Sequence, residues 1–428
     1  MEVQIQEAAV SFASRRFVSP LVLSTGSIEE ITEARARVRV TVGTHEAWGT
    51  GVTYLSDLWA WPDAHLTHGC KDAALRAFCS YLAQELCHLC GNEPAHPLEL
   101  GMRLHHAVAD RPPDYHDKLP PPLARSMCAS PFDAAIHDAA GLALGRPALE
   151  IYDQVKPVPS SDDLFPGSGA IAEVAATLRP TPVRLFNAWF VASPADDLRT
   201  LADEWVRRRG YRCAKLKVTG TDPHQDATFT VRVFEQTRAC GASSPLITVD
   251  SNGVTPGPDA VLEYLANLRD LNTDAYDAVL YIEQPTGRDL SEHSFHWGAV
   301  ASRKPVLIDE GLTGVDALLM AKEQGWSGFA LKTCKGHSFM LVTAAWARCA
   351  GMLVSLQDLT NPGLAAVHAA LLAAYVPTLN GVELNSPQFT PDANKEWLPR
   401  FEALLEPRDG VHRLPDDMPC GLGSQWQD

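Results

Sequence analysis

From about residue 182 to residue 384, short apolar runs alternate regularly with stretches of helical periodicity. The apolar runs are nearly continuous, which is typical of parallel strands buried on both faces. We predict eight strands, at Val183–Phe190, Ala214–Val218, Leu246–Val249, Val279–Ile282, Val306–Ile308, Gly328–Leu331, Met352–Leu356 and Gly381–Leu384. We predict helices between them, at Pro194–Arg209, Gln225–Cys240, Pro258–Arg269, Leu290–Ser302, Val315–Gln324, Ser338–Ala350 and Pro362–Tyr375. This alternation predicts a closed β/α barrel. An open doubly wound sheet is the alternative, but the first strand lacks a following glycine-rich phosphate loop.

The N-terminal part of the chain has a different pattern. Residues 3–47 alternate in the manner of strands, as Ala36–Val42 does with the sequence Ala-Arg-Val-Arg-Val-Thr-Val. Helices are predicted to follow at Lys71–Leu89, Pro97–Ala109 and Pro131–Leu144, the last of them closed by Gly145. Strands followed by helices indicate an α+β domain.

Composition and charge narrow the possible partners. The formal net charge of −16 argues against nucleic acid or an anionic membrane surface as a partner. No apolar run reaches the roughly 18 residues that a transmembrane helix needs. The first residues lack the basic and apolar regions of a secretory signal, so we expect a cytoplasmic protein. The ten cysteines are then expected to be reduced thiols, and the Cys87-x-x-Cys90 pair to be two small apolar residues of a helix.

Charged residues follow the predicted strands in a definite order. The carboxyl ends of barrel strands carry the working groups of such folds. Successive strand ends carry Lys215 and Lys217, then Asp250, Glu283, Asp309 and finally Lys332. Alternate residues of a strand point to the same face, so both lysines of the Lys-x-Lys pair are expected to point into the barrel. Each acid alone fits a helix cap as well as a catalytic site, so the prediction depends on their order.

The chemistry of this order is that of a hard-cation site. Three carboxylates at one rim repel each other unless a divalent cation neutralises them, and oxygen-only ligands favour Mg²⁺ or Mn²⁺. Such an ion can bind a substrate carboxylate and stabilise the enediolate formed when the α-proton leaves. A lysine acts as the base when positive neighbours lower its pKa from about 10.4.

The ordered lysines and acids resemble the enolase superfamily, in its branch with mandelate racemase and muconate-lactonizing enzymes. The segments Ser130–Pro147 and Pro407–Gly423 are also similar to that family. The resemblance implies an α/β fold, with a modified TIM barrel, (β/α)₇β, and an N-terminal α+β capping domain. It suggests the capping domain at residues 1–165, the barrel at residues 166–390, and a C-terminal segment at residues 391–428 that returns to the cap.

The resemblance also implies roles for the charged residues. Asp250, Glu283 and Asp309 would hold Mg²⁺, with Mn²⁺ as an alternative. Lys217 would be one acid/base group, and Lys215 would tune it and contact the substrate carboxylate. Lys332 would lie across the substrate, either as the second acid/base group or as a cation facing the intermediate.

The family's members differ at strands six to eight. The His-Asp dyad of the mandelate racemase-like members is absent, and the two-lysine pattern resembles the muconate-lactonizing side. The Asp-x-Asp that dipeptide epimerases carry at strand eight is replaced by Glu383-Leu-Asn385.

Two predicted loops of the cap, residues 14–20 and residues 49–62, would give specificity. Their aromatic and arginine side chains either contact the substrate or simply pack the cap and face solvent. The substrate-contact candidates are Arg16, Tyr54, Trp59, Asn252, Glu310, Asp358 and Glu383.

The function expected is Mg²⁺-dependent removal of a proton α to the carboxylate of a small-molecule substrate. The enediolate then leads to racemisation or epimerisation, to cycloisomerisation or to syn elimination. The alternatives are an acid-sugar dehydratase and a non-catalytic metal-binding barrel. We also expect a homo-oligomer.

Overall fold

Three antiparallel strands near the N-terminus form the sheet of the cap. The structure is a computed structural model that describes residues 1–23, 26–112, 115–154 and 156–425. The strands are β1 (Gln4–Leu23), β2 (Gly26–Val42) and β3 (His45–Tyr54), in the order β1-β2-β3. Alternate residues of β2, from Ala34 to Val40, are fully buried, which matches the predicted alternation. The predicted loop at residues 14–20 lies within β1, so it is part of a long hairpin.

Three helices of the cap follow, at His68–Leu89, Pro97–Ala109 and Pro122–Leu144; the first and third pack on this sheet, and the second packs on the third. The third begins earlier than predicted and contains Pro131 in its interior. A proline leaves the carbonyl four residues before it without its usual donor. Here the Ser130 hydroxyl donates to that carbonyl, of Met127, at 2.8 Å, which allows the helix to continue. Its predicted end is confirmed, because Gly145 caps it with φ of 63°.

The barrel domain contains a curled parallel sheet of seven strands. In chain order the strands after the cap are β4 (Leu185–Asn187), β5 (Trp189–Ala192), β6 (Cys213–Lys217), β7 (Leu246–Asp250), β8 (Val279–Glu283), β9 (Val306–Ile308), β10 (Gly328–Lys332), β11 (Leu353–Gln357) and β12 (Val411–Arg413). The seven parallel strands run in sequence from β5 to β11, as the β/α pattern predicts. The fold class, an α/β barrel under an N-terminal cap, is therefore confirmed.

Two of the predicted strands differ from the structure. The predicted strand at Val183–Phe190 is split, because β4 pairs antiparallel with β12 and only β5 joins the parallel sheet. The predicted strand at Gly381–Leu384 is reduced to one parallel bridge between Gln357 and Glu383. Both segments lie at the two ends of the seven-strand sheet, where apolar content alone does not specify the pairing partner.

The helices between the barrel strands largely follow the prediction. Their bounds are Leu198–Ala202 continued by a π-helix at Asp203–Arg208, Pro223–Ala239, Pro258–Leu271, Thr273–Ala278, Gly298–Ala301, Val315–Glu323, His337–Ala350 and Leu364–Tyr375. The predicted helix at Leu290–Ser302 is wrong over most of its length, since only Gly298–Ala301 is helical. The Asp289 carboxylate instead accepts from the amides of Ser291 and Glu292, which fixes a turn.

The last residues of the described chain contact the cap helix Pro122–Leu144. Asp138 in that helix is fully buried, and its carboxylate accepts from the amide of Thr50 in β3 at 2.8 Å and from the amide of Leu422 at 2.6 Å. One side chain thus joins the cap sheet, the cap helix and the C-terminal segment. The limits suggested for the three parts of the chain stay a prediction.

Replacing Asp138 with alanine is expected to lower the free energy of unfolding by roughly 2–4 kcal/mol, because two buried amides lose their acceptor. Asp138→Asn, which keeps one acceptor oxygen, should lose less. Chemical denaturation monitored by circular dichroism measures both variants. Equal stabilities for Asp138→Ala and the unmodified protein would show that this carboxylate does not hold the three segments together.

No helix in the described ranges is both long enough and apolar enough to cross a membrane. All ten cysteines have free thiols, as predicted from the sequence. Cys90 is buried and Cys87 is partly buried on the cap helix that ends at Leu89, which agrees with their interpretation as small apolar residues.

Candidate active site

The lysines and acids predicted from the sequence meet at the carboxyl ends of the barrel strands. Lys215 of β6 lies at the centre of this group and is 3% exposed. Its ammonium donates to both carboxylate oxygens of Glu283, at 3.0 and 2.9 Å, and lies 3.3 Å from Asp250. It also donates to the amide oxygen of Gln357 on β11 at 3.0 Å. One buried ammonium therefore connects β6, β7, β8 and β11.

Two further ammonium groups, those of Lys332 and Lys335, contact the carboxylate of Asp309. Lys332 at the end of β10 donates to Asp309 Oδ2 at 2.5 Å and lies 3.5 Å from Glu283. Lys335 donates to Asp309 Oδ1 at 2.9 Å and to the Asp309 carbonyl at 2.7 Å. Both oxygens of this carboxylate are therefore engaged by lysines. The ring of Trp59 from the cap lies over these ammonium groups, 5.4 Å from that of Lys332.

The third set of contacts runs outward from Lys217. Its ammonium lies 2.6 Å from Asp250 and 3.1 Å from the side-chain oxygen of Asn252, and its side chain is 15% exposed. Asn252 in turn donates to Glu310 Oε1 at 3.1 Å. Asn252 has φ of 50°, a conformation that asparagine tolerates better than most residues. The chain of contacts thus continues from β6 to the residue after Asp309.

A glutamine fixes the relative position of the acids on β8 and β9. Gln284 follows Glu283 directly and has φ of 33°, an uncommon backbone conformation that is found at functional sites. Its side-chain oxygen accepts from the amides of Asp309 and Gly311, at 2.8 and 3.1 Å. Its backbone amide donates to Leu307 of β9 at 2.9 Å. Gln284 therefore holds Asp309 beside Glu283.

The carboxylates keep the buried lysines protonated. Burial by itself lowers the pKa of Lys215, but Glu283, Glu383 and Asp250 outweigh it and hold this pKa well above its usual value. Burial likewise opposes the charge of Lys332, whose pKa is nevertheless raised by Asp309 and Glu283. The lowered lysine pKa expected from the sequence is therefore absent from these two residues, because their nearest neighbours are anions.

For Lys335 and Glu283, the effect of burial on the pKa is larger than that of the oppositely charged neighbours. Burial lowers the pKa of Lys335 because the attraction of Asp309 does not fully offset it. Burial raises the pKa of Glu283 to about 7, with Asp250 acting in the same direction. The pKa of Asp309 lies well below its usual value, since Lys332 and Lys335 outweigh the effect of burial.

The donor set fits Mg²⁺ by its chemistry, since four buried carboxylates supply only oxygen ligands. These are Asp250, Glu283, Asp309 and Glu310. Their arrangement is different from that of a formed metal site. Within the described ranges, no group of three or more His, Cys, Asp or Glu side chains is placed to hold one ion. The ammonium groups of Lys215, Lys332 and Lys335 neutralise the acids instead, so an ion requires these lysines to turn away from the carboxylates.

A small cavity of about 40 Å³ at the barrel mouth is lined by Lys215, Lys217, Lys332 and Asp309. The apolar part of its lining comes from the β1–β2 hairpin, the short cap helix Asp57–Ala60, the barrel and the turn after β11, namely Phe17, Leu21, Ile28, Ile31, Trp59, Val191 and Leu359. The cap hairpin therefore closes the barrel mouth with a hydrophobic wall.

The segment after Gly381 adds acceptors to the same cavity. Glu383 and Asn385 both line it and are at least nine-tenths buried. Asn385 donates to Glu383 Oε1 at 2.7 Å. Glu383 Oε2 and the side-chain oxygen of Asn385 are buried and have no hydrogen-bond partner within the part of the chain that the structure describes. Such unpaired buried acceptors indicate a place for a ligand's donor group.

Three of the predicted substrate contacts do not reach the cavity. Arg16 is exposed and pairs with Glu30 at 3.3 Å on the cap hairpin. Tyr54 is buried, but its hydroxyl donates to Glu33 at 2.8 Å within the cap. Asp358 accepts from the amides of Thr360 and Asn385, at 2.7 and 3.1 Å, so it shapes the turn beside the cavity. Arg16, Tyr54 and Asp358 therefore lie outside the lining of this cavity, and their contact with a substrate stays a prediction.

The other predicted residues do come together, and the structure adds some that were missed. Trp59 and Glu383 line the cavity, while Asn252 and Glu310 join the network of Lys217. Lys335 was missed although it stands three residues after Lys332, because a 3₁₀ turn at Thr333–Lys335 returns it to Asp309. Gln357 was also missed. It ends β11 just as Asp250 and Glu283 end β7 and β8, so its position at a strand end could have identified it as a site residue.

Comparisons with known proteins agree with this architecture. A family model described as enolase C-terminal domain-like matches residues 197–428. A solved dipeptide epimerase from Enterococcus faecalis V583, complexed with Mg and the dipeptide L-Leu-L-Tyr, is 16% identical with a TM-score of 0.66, over 98% of this chain and 99% of that chain. A muconate lactonizing enzyme from Pseudomonas fluorescens, complexed with muconolactone, is 18% identical with a TM-score of 0.63, over 98% and 96% of the two chains. No curated protein matches. At these identities the solved structures establish the fold.

Proposed function

This chain belongs to the enolase superfamily, since the matching family model covers more than half of its residues, and from this we propose that it is an enzyme that removes the proton α to a substrate carboxylate. The observation that carries the proposal is the pair of lysines at the cavity. Lys217 ends β6 and Lys332 ends β10, so three strands separate them in the sheet. A substrate held between them would meet an amine on each of two faces.

Each residue then has a defined task. Of Lys217 and Lys332, one removes the α-proton and the other returns a proton to the opposite face. Lys215 contacts the substrate carboxylate. Mg²⁺, held by Asp250, Glu283 and Asp309, would supply electrostatic stabilisation of the negative charge that develops on that carboxylate. An ion held by these acids would also weaken the attraction that raises the pKa of Lys332, so that a larger fraction of this lysine would be deprotonated and able to accept the proton. The dipeptide epimerase above was complexed with Mg, which supports this choice of ion.

The volume of about 40 Å³ is far below that of a substrate, so we infer the substrate class from the lining, which supports an apolar group next to the carboxylate. Phe17, Leu21 and Ile28 face the lysines from the cap, and burying an aliphatic or aromatic substituent there is favourable. The unpaired acceptors of Glu383 and Asn385 favour a substituent that also carries an N–H or O–H group. We therefore propose an α-substituted carboxylic acid with one apolar substituent and one hydrogen-bond donor.

The finer reaction follows from the lysines. Two bases on opposite faces suit racemisation or epimerisation, whereas cycloisomerisation and syn elimination need only one. We favour the two-base reaction because both lysines line the same cavity. An acid-sugar dehydratase fits less well, since its substrate's hydroxyl groups would face the apolar wall. A non-catalytic barrel is disfavoured because every acid and lysine of the ordered set is present.

Deuterium exchange tests the function directly. The protein, with Mg²⁺ in D₂O, is incubated with single enantiomers of α-substituted carboxylic acids, and the α-proton signal is followed by NMR. We expect exchange with inversion for acids that carry an apolar substituent and an amide N–H, and none for polyhydroxy acids of similar size. Exchange confined to polyhydroxy acids would favour the dehydratase. No exchange with any acid, by protein that binds Mg²⁺, would contradict the catalytic proposal.

A further inference from the structure

A second cavity lies beside the barrel mouth, between the cap and the loops that follow β8 and β9. Its volume is about 490 Å³, which is within the range of pockets that bind small molecules. Most of its wall is apolar and includes Trp61, Pro62, Leu123, Leu290, Ala317 and Met320. None of the lysines of the candidate active site lines it. Its shape and lining therefore distinguish it from the small cavity that those lysines line.

The charged side chains of this cavity are mainly acidic. Asp63, Asp289, Glu310 and Asp316 line it, against the single base Arg288. The guanidinium of Arg288 already donates to the Trp59 carbonyl at 2.5 Å and lies 3.9 Å from Glu310. The local field therefore favours a positively charged ligand.

The side chain of Glu310 indicates independently that a hydrogen-bond donor binds in this cavity. Its side chain is almost fully buried, and Oε1 accepts from Asn252 at 3.1 Å. Oε2 is buried as well and has no hydrogen-bond partner among residues 1–23, 26–112, 115–154 and 156–425. Buried carboxylate oxygens are normally paired. A donor from a ligand in the cavity would satisfy this oxygen once the Glu310 carboxyl group, which lines the cavity, turns toward it.

We propose that this cavity binds an organic cation, namely a primary ammonium group on an apolar or aromatic body. The ammonium group donates to Glu310 Oε2, and the body packs against Trp61, Leu123 and Met320. The contact from Glu310 through Asn252 to Lys217 places such a ligand two side chains away from one of the proposed bases. Binding at this site does not depend on the proposed reaction.

Binding is tested on the full chain in the presence of Mg²⁺, with isothermal titration calorimetry. The probes are 2-phenylethylamine, which is cationic at pH 7, neutral 2-phenylethanol and anionic 3-phenylpropanoate. We expect saturable binding of the amine, at least tenfold tighter than binding of the alcohol. No saturable binding of the amine, or equal binding of the alcohol, would overturn the proposal.

Two variants locate the site. Ala317→Trp fills the cavity from the barrel helix Val315–Glu323 and should abolish amine binding. Glu310→Gln removes the carboxylate charge at similar size and should weaken amine binding at least tenfold. Glu323→Gln removes an exposed charge from the end of the same helix and serves as the control, with unchanged binding expected. Full amine affinity in either Ala317→Trp or Glu310→Gln would contradict the assignment. Calorimetry does not require turnover, so a protein without exchange activity still gives a clear result.

Discussion

Replacing Lys332 with alanine is expected to lower the rate of α-proton exchange by roughly 10²–10⁴-fold, the usual contribution of a positioned acid/base group. Lys332 ends β10 with its ammonium between Asp309 and Glu283 and beneath the ring of Trp59. Alanine removes the amine that lines the cavity at this position, while Lys335 remains bound to Asp309. If the reaction uses two bases, Lys332→Ala loses exchange with one enantiomer of the substrate, and Lys217→Ala loses exchange with the other.

Lys322→Ala is the matched control, because Lys322 is exposed on the helix Val315–Glu323 and its loss should leave exchange unchanged. Circular dichroism and a thermal midpoint establish that each variant is folded, since removal of Lys332 also removes a partner of the buried Asp309. NMR in D₂O then gives the exchange rate for each enantiomer separately. Full exchange of both enantiomers by both Lys217→Ala and Lys332→Ala would exclude these lysines as the bases.

The sequence predicts the order of the site groups well, because that order depends only on local patterns. Each short apolar run defines a strand, and in a parallel barrel all strand ends face the same rim. The position of Lys215, Asp250, Glu283 and Lys332 around that rim follows without further information. The structure confirms that these side chains lie together.

What the sequence misses depends on contacts between distant segments. Phe17 and Leu21 reach the cavity because the β1–β2 hairpin is long enough to cover the barrel mouth, and no local pattern specifies that. Arg16 neighbours Phe17 but points to solvent, since adjacent residues of a strand face opposite sides. Lys335 becomes a partner of Asp309 through a single turn. Secondary-structure propensity predicts each segment separately, but it does not determine which distant segments come into contact.

The pairing of acids with lysines changes the expectation for the metal. The sequence alone suggests that crowded carboxylates require a divalent cation, whereas in the structure ammonium groups neutralise them. A bound ion therefore competes with lysines that are already present. Under the proposed function, an ion held by these carboxylates would take the place of an ammonium group, and the displaced lysine would then be free for proton transfer.

Glu283→Gln is expected to abolish both Mg²⁺ binding and Mg²⁺-dependent exchange. Glu283 is fully buried at the centre of the network, and an amide supplies one oxygen without charge. For the unmodified protein, Mg²⁺ at 100 times its dissociation constant should add about 2.7 kcal/mol to the free energy of unfolding. Denaturant titrations with and without Mg²⁺ measure this difference. A Mg²⁺ effect of equal size in Glu283→Gln would show that the ion binds elsewhere.

Lys335→Met provides the opposite test at the same carboxylates. Lys335 occupies Asp309 Oδ1 and the Asp309 carbonyl, and methionine has a similar length without charge. Its removal leaves Lys332 as the remaining lysine partner of the buried Asp309 carboxylate, so the metal-free protein should be less stable than the unmodified protein. Mg²⁺ should then bind more tightly and restore more stability than it adds to the unmodified protein, because one competitor for Asp309 is gone. Weaker Mg²⁺ binding by Lys335→Met would contradict this competition and would instead make Lys335 a support that holds Asp309 in position for the ion.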